Sequence, residues 1–265
     1  AAIAASGATG SEYGPLFKRL LRDPERTAEN LRRGFCTFVL YKFGRWVEVT
    51  VDTLLPCNAD DKPIFAHCRD PNELWVPLLE KAYAKLHGSY EALDGGSVTA
   101  ALVDLSGGVG ENLDLAGDDE YHELMDGTLW RRLKRYAKRS SASSGEGHYL
   151  LGAALSMSEV VDQGKGGVHQ SDQGVLVNHA YTLLDVSEVG GVDKTRLLKL
   201  RNPWGSGEWK GAWSDESGEW KTALGKDVQR QLSYTIEGND RTFMISWEDF
   251  QQQFNRIYVC RVYDE

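Results

Sequence analysis

The chain has 265 residues, 41% hydrophobic and 26% charged with eight tryptophans, enough to bury one large core or two small ones. Its net charge of -9 excludes the basic surface a nucleic-acid partner needs, and no apolar run reaches the roughly 20 residues of a membrane helix. Four cysteines without metal-ligand spacing (Cys36, Cys57, Cys68, Cys260) and the lack of any Asn-x-Ser/Thr sequon point to reduced thiols in a cytoplasmic protein.

Residues 1–33 read as helical, with Leu16, Leu20 and Leu21 at helical spacing. "FCTFVLYKFGRWVEVTVD" reads as a hairpin meeting at Gly44, because Val47, Val49 and Val51 alternate with polar neighbours. Residues 72–87 predict a helix with Asn72 as N-cap and Pro77 in its first turns. "GGSVTAALVDLSGGVG" holds five glycines in sixteen residues and is read as the boundary between domains 1–97 and 98–265. A second helix is expected over 118–139, acidic at its start and basic at its end, with Met125, Leu129, Leu133 and Tyr136 as its apolar stripe. The basic run "RRLKRYAKR" is read as its solvated face.

From about 147 the pattern turns to strands: "HYLLGAALSM", "GVLVNHAYTLLDV" and "TRLLKLRN" are apolar, partly β-branched and short. The polar, glycine-rich run between the first two reads as a mobile loop. A short helix near 246–254 and the strand "RIYVCRVY" close the chain. Helices first and an antiparallel sheet afterwards give an α+β architecture.

One histidine of six stands apart. His179 lies inside the strand-like run "VLVNHAYTLL", where an imidazole needs a hydrogen-bond partner. The next strand ends at Asn202, fixed before Pro203 and beside Trp204, so two antiparallel neighbours would bring the pair together. A side-chain amide accepting from the imidazole is the orienting element of nucleophile–His–Asn catalysis, and Trp204 could shield that bond from water. The same pairing also serves as a satisfied core histidine. No serine or cysteine in the sequence stands in an activated context, so two members of a triad are present and the nucleophile is not.

The runs "GRWVEVTVDTLLP", "LLEKAYAKLHGSYEALDGGS", "HAYTLLDV", "LKLRNPWGSGEWKGAWSD" and "FMISWEDF" carry a family likeness from end to end. The chain resembles the protease core of calpains, calcium-dependent intracellular cysteine endopeptidases with a two-lobed papain-like fold. The resemblance implies a helical first lobe, an antiparallel-sheet second lobe, His179 as catalytic base and Asn202 as its orienter. It implies a cysteine four residues before Ala1, so the chain by itself is expected to be inactive. Gly95 and Gly96 match backbone that pairs with extended substrate, and Asn178 replaces the family's glycine before the histidine. Trp204 matches a tryptophan that wedges the cleft until calcium moves it, and residues 161–174 match a gating loop. The resemblance also implies Ca²⁺ ligands: Glu73 in the first lobe, and Glu208, Asp215 and Asp240 in the second, where Thr242 replaces a further acidic position. Protein substrates and further domains of a longer parent are implied too. A non-proteolytic, calpain-like binding module is the competing reading.

Overall fold

The computed structural model describes residues 19–68, 70, 72–140, 148–157, 169–190, 194–204, 209–236 and 240–263. After a short helix, α1 (Thr27–Arg32), the expected hairpin forms from β1 (Phe35–Lys42) and β2 (Arg45–Asp52). Cys36 faces Val51, Phe38 faces Val49 and Leu40 faces Val47, so alternation places one apolar row on a single face. Helix α2 (Trp75–His87) covers that row with Leu78, Leu79 and Ala82. Helix α2 starts later than expected because Asn72 turns back onto Asp70, its backbone N–H donating to Oδ1 at 2.9 Å. Pro77 then falls on the first turn, where a missing N–H costs nothing.

The glycine-rich stretch hides a helix. Ser97 caps α3 (Val98–Ser106), its Oγ accepting from the Ala100 N–H at 3.2 Å, and Leu105 joins the hairpin core. The described residues up to Gly110 accordingly form one compact unit, and those from Glu111 onward a second.

Strand β3 (Val109–Asp114) leads to two helices where one was expected, α4 (Asp118–Met125) and α5 (Thr128–Ser140). The chain turns at Asp126, whose Oδ1 accepts from the Thr128 N–H at 2.7 Å. Met125 consequently leaves the apolar stripe and is exposed, while Leu129, Leu133 and Ala137 are buried. Two residues of the basic run are ion-paired, Arg132 to Glu123 and Glu111 and Lys134 to Glu188.

The second unit is built on β4 (His148–Ala154), β5 (Ala180–Val189), β6 (Thr195–Arg201), β7 (Thr242–Ser246) and β8 (Arg256–Val262), with helices α6 (Ala223–Leu232) and α7 (Trp247–Gln253) before and after β7. The sheet order is β3-β8-β4-β5-β6-β7, and the pairs from β8 to β7 are antiparallel. Strand alternation divides its side chains between two clusters. Leu198, Leu200, Phe243 and Ile245 join Leu129, Trp130 and Leu133 of α5; Leu197 and Met244 join Trp213, Trp220, Val228 and Tyr234. The expected α+β class is what the chain adopts.

Candidate active site

The β5–β6 register, Thr182 opposite Arg201, puts the residue before β5 and the residue after β6 at one end of the sheet. Those residues are His179 and Asn202. Their side chains meet, Nε2 to Oδ1, at 2.8 Å, and both are buried, at 4% and 0% exposure.

The chemistry of the neighbours fixes which atom is which. The Trp204 backbone N–H lies 3.0 Å from the same Asn202 atom. A backbone N–H only donates, so that atom is the amide oxygen; the imidazole Nε2 must then carry the proton. Nδ1 is thereby left with the lone pair. Burial pushes the His179 pKa down to about 4, with the Asn202 hydrogen bond offsetting part of that shift. The ring is a neutral base at physiological pH.

The surroundings hold this pair still. Asn178 sits in the left-handed region at φ 53, which asparagine tolerates, and its Oδ1 accepts from the Met157 N–H at 2.9 Å. That turn ends the expected long strand, so β5 starts at Ala180. Tyr181 approaches the imidazole edge-on at 5.1 Å, and the Trp204 indole covers it at 4.5 Å while remaining 59% exposed. The Arg241 carbonyl accepts the Asn202 N–H at 2.8 Å. Tyr181 was legible, because two residues along a strand return to the same face; Arg241 left no signal in the sequence.

The other unit carries Gly95 and Gly96, at φ 85 and 152. An added Cβ would meet open space at either, so the constraint is the backbone conformation, which leaves their peptide groups uncovered. Burial takes the chain's cysteines out of play to different degrees. Cys36 and Cys260 are buried, burial raises the thiols of Cys36 and Cys68, and Cys57 lies exposed in a loop.

Residues 3–261 match the family described as "Calpain family cysteine protease". The chain is 43% identical over 89% of its length to the calpain-type cysteine protease DEK1 of Arabidopsis thaliana. It is 37% identical over 95% to a calpain of Schistosoma mansoni, and 35% over 88% to the human calpain-1 catalytic subunit. The chain belongs to the calpain family. It spans 10% of the Arabidopsis relative and about a third of the animal ones, 31% and 30%.

The calcium ligands expected of a calpain are brought together only in part. Asp215 and Asp240 are neighbours: burial, and then the Asp240 charge, raise the Asp215 carboxyl. Glu73 is exposed in the first unit, and Glu208 lies outside the described residues, as do residues 161–168 of the expected gating loop. Among the described residues no three His, Cys, Asp or Glu side chains converge on a point that could hold a metal ion. Asp240 is already committed to Thr242 through both of its oxygens. Asp215 and Asp240 by themselves would supply only part of the six to eight or so oxygens that the ion takes.

Proposed function

We propose that this chain supplies the base-bearing part of a calpain-type cysteine endopeptidase, with His179 as general base and acid and Asn202 as its orienter. The supporting observation is the single bond from Nε2–H to the Asn202 amide oxygen, because it makes Nδ1 the nitrogen that faces the reaction.

The chemistry then runs as follows. Nδ1 takes the proton of a cysteine thiol expected before residue 1, and the sulfur attacks a peptide carbonyl carbon. Nδ1–H protonates the amine nitrogen as the C–N bond breaks, leaving a thioester. Water, deprotonated by Nδ1, attacks that thioester; the C–S bond breaks, the acid leaves, and Nδ1–H returns its proton to the cysteine sulfur. Asn202 stabilises the imidazolium in both halves by accepting from Nε2–H, and Trp204 keeps water from that bond. Gly95 and Gly96 offer backbone to an extended segment of a protein substrate. The free cysteines support a cytoplasmic setting. Calcium control of the full-length protein, through Glu73 in the first unit and Glu208, Asp215 and Asp240 in the second, belongs to the same proposal.

The test is cleavage of an unfolded protein by the full-length protein and by His179→Ala and Asn202→Ala forms. His179→Ala should lose activity by about 10³-fold or more and Asn202→Ala by about 10²-fold, chiefly in kcat. Unchanged cleavage in His179→Ala would refute the assignment, and no cleavage by the unaltered protein would favour the binding-module reading.

A further inference from the structure

Two non-glycine residues in the left-handed region stand against the His179–Asn202 pair. Asn178, at φ 53, directly precedes the histidine, and Arg241 is at φ 64. Asparagine tolerates that region; for a long side chain such as arginine it costs energy that the surroundings must supply. Here they do. Asp240 Oδ1 accepts the Thr242 backbone N–H at 2.8 Å and Oδ2 accepts the Thr242 hydroxyl at 2.7 Å, an Asx turn that closes over Arg241. Thr242 is buried at the start of β7, opposite Arg201, so the sheet register brings the turn to the end of β6.

From that turn Arg241 holds the 202–204 segment twice. Its carbonyl accepts the Asn202 N–H at 2.8 Å, and its Nη1 donates to the Pro203 carbonyl at 3.4 Å. The second contact reaches the ring. The Pro203 carbonyl and the Trp204 N–H belong to one planar peptide group. With its carbonyl held by the guanidinium, that group keeps its N–H 3.0 Å from Asn202 Oδ1, the bond that fixes the amide and through it the imidazole. Were the peptide to rotate, the N–H would leave. The Asn202 amide would then be free to flip, present its NH₂ to Nε2 and shift the ring proton to Nδ1.

We propose that Arg241 is a positioning residue: by holding the Pro203–Trp204 peptide it keeps the proton of His179 on Nε2 and the lone pair on Nδ1. Its part in catalysis rests on the proposed function; its effect on the ring does not.

The test reads the tautomer directly, from the ¹⁵N shifts of the His179 ring in the labelled chain at pH 7.5, where the ring is neutral. The unaltered chain should show the Nε2–H form. Arg241→Met removes the guanidinium at similar length, and Arg241→Gly removes it while relaxing the left-handed backbone, so that at least one of the two folds. Either should bring the Nδ1–H form to about half of the population or more, and Arg241→Lys, which keeps a cationic donor, should restore the Nε2–H form. In the full-length protein the Met and Gly variants should lower kcat about twofold or more at unchanged KM, because the wrong tautomer binds substrate without reacting. Retention of the Nε2–H form in the folded variants, or an Nδ1–H form in the unaltered chain, would overturn the proposal. Mixed tautomers with kcat unchanged would overturn the part in catalysis. If the full-length protein cleaves nothing, the proposed function falls and the tautomer alone decides.

Discussion

At the scale of single residues, two atoms near His179, Asn202 Oδ1 and the Trp204 backbone nitrogen, fix which ring nitrogen can act as a base. Asn202 Oδ1 receives two donors, the imidazole Nε2–H and the Trp204 N–H, and its acceptance of the second forces the tautomer of the first. Burial then keeps the ring neutral, with its pKa at about 4. The sign of the consequence follows directly. An unfolded histidine takes up a proton near pH 6.5 and the folded one refuses it until about pH 4, so acidification through that window favours the unfolded state. The chain should lose about 2 kcal/mol from this group between pH 7.5 and pH 5. Urea unfolding of the chain and of His179→Gln at both pH values checks it: the substitution should remove that part of the pH dependence. The pairing itself was legible, since an imidazole in an apolar run must find a partner and Asn202 is held at the next strand's end by Pro203. Its tautomer was not, because that depends on a backbone N–H placed by the turn at 203–204.

At the scale of elements, the stretch from 202 to 213 sends three tryptophans three ways. Trp204 stays at the surface over His179, Trp209 enters the cluster under α5, and Trp213 packs edge-on against Trp220 at 5.0 Å on the opposite face. Gly211 makes this possible: a Cβ there would lie 2.1 Å from the Trp209 ring. The hairpin and the short closing helix were readable from alternation and length. Helix α3 was missed because its flanking glycines resemble a linker, and the break at Gly127 because the apolar spacing continues across it. What fastens α3 is a polar contact invisible to periodicity. One oxygen of the mostly buried Asp104, Oδ2, accepts from Lys42 of β1 at 2.6 Å and from Tyr83 of α2 at 2.9 Å, with His87 Nε2 at 3.3 Å. Removing that carboxylate strands the Lys42 ammonium. Asp104→Ala should therefore cost about 3 kcal/mol in denaturant unfolding of the chain; a cost below about 1 kcal/mol would show that the network contributes packing only.

At the scale of the whole molecule, the described residues form two units with separate cores, Gly95 and Gly96 lying in the first and His179 with Asn202 in the second; the proposed function gives each a part in one reaction. The family was legible from long motifs in unbroken order, whereas the calcium ligands could not be weighed by sequence alone. Matching Asp240 and Asp215 to ligand positions said nothing of the hydrogen bonds they accept from Thr242 and Tyr234. The central claim is that Nδ1 of His179 faces a cysteine thiol in the full-length protein and, its pKa raised there by the thiolate charge that this chain lacks, holds its proton. The most direct measurement is the pH profile of iodoacetamide alkylation of that cysteine in the full-length protein, in calcium-containing buffer, with and without His179→Ala. The account predicts rapid alkylation well below the ordinary thiol pKa of about 8.5 in the unaltered protein, and a return to that ordinary titration in His179→Ala. Identical profiles, or no fast-reacting thiol at all, would contradict it.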